Sequence, residues 1–357
     1  MSSKTNARLS QANSLLFSGI PYIVAAGLFL IAFLNWMQES WGWNLEWFTR
    51  LVDTASNFSA VFLGIFIEAS PFLLLGTLAS GLVDVFFNIK DLNRLVPRNR
   101  YLAVVVGGLM GLFFPVCECG SVPLARRLMR KGLPVPVGIA FLLAAPVINP
   151  IVLASTFAAF GNTPVFWLRF ALTLLIAVFT GMLFLFEADR QRVVRDFTAG
   201  SEVAFHPLAE QEPATLSSEP PLGKKIRQVL VVATDEFFEL GKYLVIGALM
   251  AALMQTFVPQ SWLLTLGQGP VFSTVVMMLL AVLLSICSTV DSFIALAFTG
   301  IFSSGSILAF LVYGPMVDIK VTLMYWRVFS RRTVLVLILI PLLMTLVSGI
   351  VINMWVQ

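Results

Sequence analysis

The chain has 357 residues, of which 58% are hydrophobic and only 12% charged. A soluble domain carries about 25% charged residues, so this balance excludes an ordinary soluble enzyme and indicates a polytopic membrane protein. The formal net charge of +4 points to no acidic partner. The basic residues flank apolar runs and form no patch interleaved with aromatics, which argues against nucleic-acid binding.

The first predicted element is an apolar run over 14–36, preceded by Lys4 and Arg8. It is long enough to span a bilayer and ends without a small-residue cleavage site, so a retained helix is expected. The segment 38–57 holds Glu39, Glu46 and Asp53 against Arg50, with Trp41, Trp43 and Trp47, and reads as an external interfacial loop. Further apolar segments follow near 58–83, 101–116, 133–160, 164–186, 228–257, 270–287, 306–319 and 333–355. Four units result: residues 1–57 (N-terminal helix and external loop), a first membrane repeat over 58–186, a polar linker over 187–227, and a second membrane repeat over 228–357. The linker carries Arg190, Arg192, Arg195, Pro213, Pro220 and Pro221, a composition that sets it outside the membrane. His206, the only histidine, lies there and reads as a solvated residue.

Lys and Arg placement orients the spans. The basic N-terminus is cytoplasmic, as is the loop with Lys90, Arg94, Arg98 and Arg100. A full crossing over 101–116 would leave Arg126, Arg127, Arg130 and Lys131 outside, against the positive-inside rule. A re-entrant hairpin over 101–131 removes the conflict and places Cys117 to Ser121 at its tip, between Pro115 and Pro123. Carried onward, the same logic brings a second hairpin, around Cys287, in from the opposite face. Lys320, Arg327, Arg331 and Arg332 then return to the cytoplasmic side.

The halves match in order: Glu68 with Glu239, Gly76 with Gly247, Cys117 with Cys287, Ser121 with Asp291, and Pro146 to Asn149 with Pro315 to Asp318. The expected fold is therefore an all-α polytopic membrane protein, an inverted internal repeat with two re-entrant helical hairpins and an extra N-terminal helix. Internal repeats of this kind build secondary transporters, with the site at the repeat interface.

Pro115-Val116-Cys117-Glu118-Cys119-Gly120 sets two thiols around a carboxylate. Free cysteines are often small buried hydrophobes, but a proline-bracketed tip with an acid between the thiols favours a ligand or redox role. An extended segment would place both sulfurs on one side and Glu118 on the other, with Cys287 as a third soft donor. Glu118 and Asp291 suit both a capping role at a half-helix N-terminus and a proton-coupling role. Glu68 and Glu239 occupy equivalent positions and join that proton-coupling set. Charge pairing with its neighbours is the competing reading of Glu239. The interruptions at Pro146, Asn149 and Pro150, and at Pro315 and Asp318, break two helices in corresponding places. Such paired breaks mark a transport site. Gly107, Gly108 and Gly111 read as a packing face, and Arg126 to Lys131 as a topology determinant.

Pro-Val-Cys-Glu-Cys-Gly with Pro-Leu-Ala-Arg-Arg, Ala-Ala-Pro-Val-Ile-Asn-Pro and Cys-Ser-Thr-Val-Asp-Ser-Phe resembles the bacterial family of predicted permeases that includes the organoarsenical (methylarsenite) efflux permeases. The resemblance runs from about Phe58 to the C-terminus and implies a transporter with paired cysteines near its site, here Cys117 and Cys119. The expected function is a secondary transporter of the bacterial cytoplasmic membrane exporting a thiophilic metal or metalloid against protons. Cys117, Cys119, Cys287, Asn149 and Asp318 would meet the substrate. No ATP-binding loop is present, and the expected partners are lipid and a small thiophilic substrate, with no cofactor. The alternative is a transmembrane thiol–disulfide relay through Cys117 or Cys119 and Cys287.

Overall fold

A computed structural model describes residues 46–86, 97–114, 116–186, 193, 222–257 and 269–355. The expected helix at 14–36, Pro115, His206 and nearly all of the linker lie outside the described residues. The chain divides into two compact units, Met1–Asn57 and Phe58–Gln357, and every site residue discussed below belongs to the second.

The described residues are overwhelmingly helical and contain no named strand, only an isolated bridge between Thr299 and Phe302. In chain order the helices are α1 Glu46–Phe86, α2 Arg100–Leu109, α3 Glu118–Arg130, α4 Val135–Ala144, α5 Pro150–Phe160, α6 Pro164–Leu183, α7 Leu222–Phe257, α8 Pro270–Leu284, α9 Asp291–Ala297, α10 Ser304–Met316, α11 Ile319–Val328 and α12 Arg331–Trp355. A 3₁₀ turn, Met110–Leu112, extends α2. Five stretches among the described residues are long and apolar enough to cross a membrane: Thr49–Phe86, Pro164–Leu183, Gly223–Phe257, Ser304–Val328 and Arg331–Trp355. The protein is an all-α, multi-pass membrane protein.

The distribution of side chains follows from lipid as solvent. Helix α12 exposes Leu335, Leu339, Leu343, Val347 and Val351, while Leu337, Pro341, Thr345, Gly349 and Asn353 are buried. Both stripes repeat every four residues, the spacing of one helix face. The apolar stripe faces outward because hydrocarbon accepts it, and the small and polar stripe faces inward, where partners exist. Asn353 there donates from Nδ2 to Thr274 Oγ1 (3.1 Å) and Ser306 Oγ (2.9 Å).

The helices on either side of Cys117 are short. At about 1.5 Å rise per residue, neither α2 with its 3₁₀ turn nor α3 reaches the roughly 30 Å of a hydrocarbon core. The glycine face packs as expected: a Cβ on Gly107 would strike Val137, one on Gly108 would meet Leu174, and one on Gly111 would meet Ala145. Contact at these positions brings α2 against α4 and α6. The predicted helix over 133–160 is two helices, α4 and α5, interrupted at Ala145 to Asn149. The span predicted at 306–319 is α10, which ends at the break at Val317 and Asp318, and a further helix, α11, follows to Val328. The polar linker ends earlier than expected, since α7 already begins at Leu222. Glu239 consequently lies well inside α7 rather than near its start.

Candidate functional site

The two breaks are built alike. Asn149 leaves the helical conformation (φ −124°, ψ 157°), and its Oδ1 accepts a hydrogen bond from Val152 N at 2.9 Å. Asp318 does the same (φ −128°, ψ 177°), accepting from Val321 N at 2.6 Å. Each is the N-cap of the following helix, the role for which Asn and Asp are chosen. The second amide group of Asn149 does what a carboxylate cannot: Nδ2 donates to the carbonyls of Val116 (3.2 Å), Ala145 (3.2 Å) and Pro146 (3.4 Å). It thereby ties the break to the hairpin tip. At the other break the Tyr325 hydroxyl donates to the Met316 carbonyl at 3.2 Å.

The two hairpin tips are also alike. The Cys117 carbonyl accepts from Gly120 N (3.1 Å) and Ser121 N (2.9 Å); the Cys287 carbonyl accepts from Val290 N and Asp291 N, both at 3.0 Å. Cys117 is the N-cap of α3, so Glu118 opens the helix and Cys119 follows within its first turn. This differs from the extended segment expected from alternation: Gly120 and Ser121 close hydrogen bonds back to Cys117, and the backbone turns at once. A carboxylate in this first turn faces the positive end of the helix dipole. Helix α8 stops at Ser285, a left-handed residue (φ 49°, ψ 41°). Gln255 of α7 then satisfies the orphan carbonyls of Leu283 (3.3 Å) and Leu284 (2.8 Å).

These turns bring three ligand atoms together. Cys117 Sγ, a Glu118 carboxylate oxygen and Cys287 Sγ all lie within 4.8 Å of one another, and all three residues are buried. Cys287 Sγ stands 3.8 Å from Glu118 Oε2. Cys119, also buried and a free thiol, is a hydrogen-bond neighbour of Cys117. Lys320, on the first turn of α11, places Nζ 3.8 Å from Glu118 Oε1 and 3.4 Å from Asp318 Oδ2. The half-buried Glu68 interacts with the charges of Lys320 and Glu118. The cluster therefore gathers Cys117, Cys119, Cys287, Glu118, Asp318, Glu68 and Lys320, with Asn149 holding the adjacent backbone. The two thiols of Cys117 and Cys287 and the Glu118 carboxylate form a donor set for a soft or borderline metal or a thiophilic metalloid.

Asp291 and Glu239 are not part of this cluster. Asp291 pairs with Arg169 of α6 through two hydrogen bonds, at 2.8 and 3.1 Å. Arg169 also donates to Thr156 Oγ1 (2.8 Å) and Ser292 Oγ (2.7 Å). Asp291 borders a small cavity of about 10 Å³ shared with Ala281, Ile286, Phe310, Gly314 and Pro315. Glu239 bonds to Arg126 (3.3 Å) and lies 3.5 Å from Arg327; Arg127 pairs with Glu236 (2.7 Å) and approaches Asp84 (3.7 Å). Pro123 sits inside α3 between the tip and these arginines.

Two cations escaped the sequence reading. Lys320 was grouped with Arg327, Arg331 and Arg332 as a flanking charge, yet its side chain is 2% exposed. Arg169, fully buried at 0%, was not singled out. The available signal was a lone arginine within the apolar run 164–186, since an intramembrane charge is functional by default. Arg126 and Arg127, read as topology determinants, are buried in ion pairs.

The chain is 43% identical over 296 residues to UPF0718 protein YcgR of Bacillus subtilis, covering 83% of this chain and 96% of that protein. It is 36% identical over 289 residues to a Streptococcus mutans protein named as a subunit of a proposed two-component membrane permease complex, covering 81% and 92%. No solved structure matches the chain significantly. Residues 54–354 match the family described as predicted permease, ArsP_1, and the chain belongs to that family of membrane permeases.

Proposed function

We propose that the protein is a secondary transporter that binds a thiophilic metal or metalloid between the hairpin tips. The observation that carries this is the convergence of Cys117, Glu118 and Cys287, one residue pair from the first half and one thiol from the second, within 4.8 Å of one another and all buried. A site assembled from both halves is what alternating access requires, because rocking one half against the other opens and closes it. Asn149 and Asp318 line the path where the helices break, and Glu68 and Glu118 are the acids placed to couple protons. Glu239 and Asp291, in their own ion pairs, would couple protons by releasing an arginine. Charge placement along the chain supports a cytoplasmic N-terminus, halves of opposite topology and export across the bacterial cytoplasmic membrane. Chemistry of this kind needs no resident cofactor.

The test is binding of zinc, cadmium, arsenite and methylarsenite to the purified protein, with Cys117→Ser/Cys287→Ser as the comparison. Tight binding of one class, reduced at least about a hundredfold in the double variant, is expected for loss of both thiol donors. Equal binding in both proteins overturns the site.

The same meeting of Cys117 and Cys287 also favours a thiol relay, which would pass reducing equivalents between the halves. A relay predicts a Cys117–Cys287 disulfide that a thioredoxin-like donor reduces at catalytic rates. The transporter predicts transport by fully reduced protein without any such donor.

A further inference from the structure

Lys320 stands where a bound cation would be neutralised. Its ammonium lies 3.8 Å from Glu118 Oε1 and 3.4 Å from Asp318 Oδ2, while the other Glu118 oxygen faces Cys287. The position is costly for a lysine on two counts: it is buried, and it lies in the first turn of α11, where the helix dipole favours anions. Its stem is also held closely. A Cβ on Gly247 would strike the Lys320 backbone and the first carbons of its side chain, so the absence of a side chain there lets the start of α11 pack close against α7. Among the described residues, Asp318 Oδ2 and Glu68 Oε1 have no hydrogen-bond donor, and the Lys320 ammonium is the charge that faces Asp318 Oδ2.

Resting on the transporter reading above, we infer that Lys320 is a tethered counter-cation: it occupies the empty site's cation position, and a cationic cargo must displace it from Glu118. Lys320 is thus a specificity-determining residue. It opposes a divalent soft metal ion, which needs Glu118 as its third donor, and leaves a neutral trivalent arsenical, bound by thiols alone, unaffected. It also lets the empty site keep its carboxylates balanced, so that an unloaded carrier can return through the low-dielectric interior.

The experiment measures cadmium and phenylarsine oxide binding to wild-type protein, Lys320→Met and Lys320→Arg in detergent. Removing a unit charge a few ångströms from the metal position raises cadmium affinity by about tenfold or more. Lys320→Arg stays near wild type, and phenylarsine oxide affinity changes by no more than about twofold across the set, since a neutral ligand has no Coulomb term with the ammonium. Unchanged or weaker cadmium binding in a folded Lys320→Met protein overturns the inference. Should that variant not fold, wild-type protein labelled with ¹⁵N-lysine decides: cadmium shifts the Lys320 ammonium resonance if it is displaced, and an unmoved resonance sinks the idea. Cys117→Ser/Cys287→Ser separates the two failures. Thiol-independent binding of both ligands defeats the transporter site itself, whereas thiol-dependent binding indifferent to position 320 defeats only the role of Lys320.

Discussion

Arg169 and Asp291 are separated by 122 residues and joined by two hydrogen bonds in the bundle interior. Both charges are buried, so each is tolerable only because the other is present. Truncating the arginine leaves a buried carboxylate without its counter-charge, and Arg169→Met is expected to cost about 3–5 kcal/mol. Replacing both members removes that penalty, so Arg169→Met/Asp291→Asn is expected to be more stable than Arg169→Met alone. Thermal unfolding in detergent checks this; a double variant no more stable than the single would show that the pair is not energetically coupled. The same reasoning explains the two half-buried groups of ion pairs on α3. Arg126 and Arg127 are held by Glu239 and Glu236, whereas Lys131 at the end of the helix donates to the carbonyls of Val83 and Asp84 of α1.

At the level of elements, the site depends on backbones that approach closely. Helix α1 passes the first hairpin tip with Gly76 against Gly120, and a Cβ on Gly76 would overlap the Gly120 backbone. Gly120 directly follows Cys119, so any shift that relieves the overlap moves the thiols. Gly76→Ala is expected to cost about 1–3 kcal/mol as an overpacked contact and to weaken cadmium binding. Gly64 on the same helix has nothing within 4 Å of an added Cβ. Gly64→Ala should therefore be neutral or stabilising by up to about 1 kcal/mol, since alanine is the better helix former. Parallel unfolding and binding measurements on the two variants check the contrast, and equal effects would refute it. The broken helices depend on caps in the same way. Asn149 and Asp318 satisfy the first amides of α5 and α11, groups that hydrocarbon would leave orphaned.

At the scale of the molecule, each hairpin acid is neutralised by a cation from the opposite half. Glu118 of the first half meets Lys320 of the second, and Asp291 of the second meets Arg169 of the first. Arg126 and Arg127 of the first half likewise bond to Glu239 and Glu236 of the second. Neither half alone can satisfy its buried charges. If the chain is cut between residues 200 and 210 and the pieces are expressed separately, each is expected to be degraded. Co-expressed pieces should copurify and bind cadmium. Stable accumulation of either piece by itself, read by gel filtration in detergent, would contradict this dependence.

The sequence by itself determined the solvent the protein folds in, its all-helical class and the two helix breaks. These are local properties: hydropathy over a window and Asn or Asp beside a proline can be read without knowing what lies opposite. Tertiary structure alone decided which charges meet. Lys320 reads like its neighbours Arg327, Arg331 and Arg332, because a cation after an apolar run has the same composition whether it faces water or a carboxylate. Its partner Glu118 is far away in the chain, and only the packing of α11 against the first hairpin tip brings the two within reach. For the same reason the sequence placed Glu118 and Asp291 in one class, while the fold puts one among thiols and the other on an arginine.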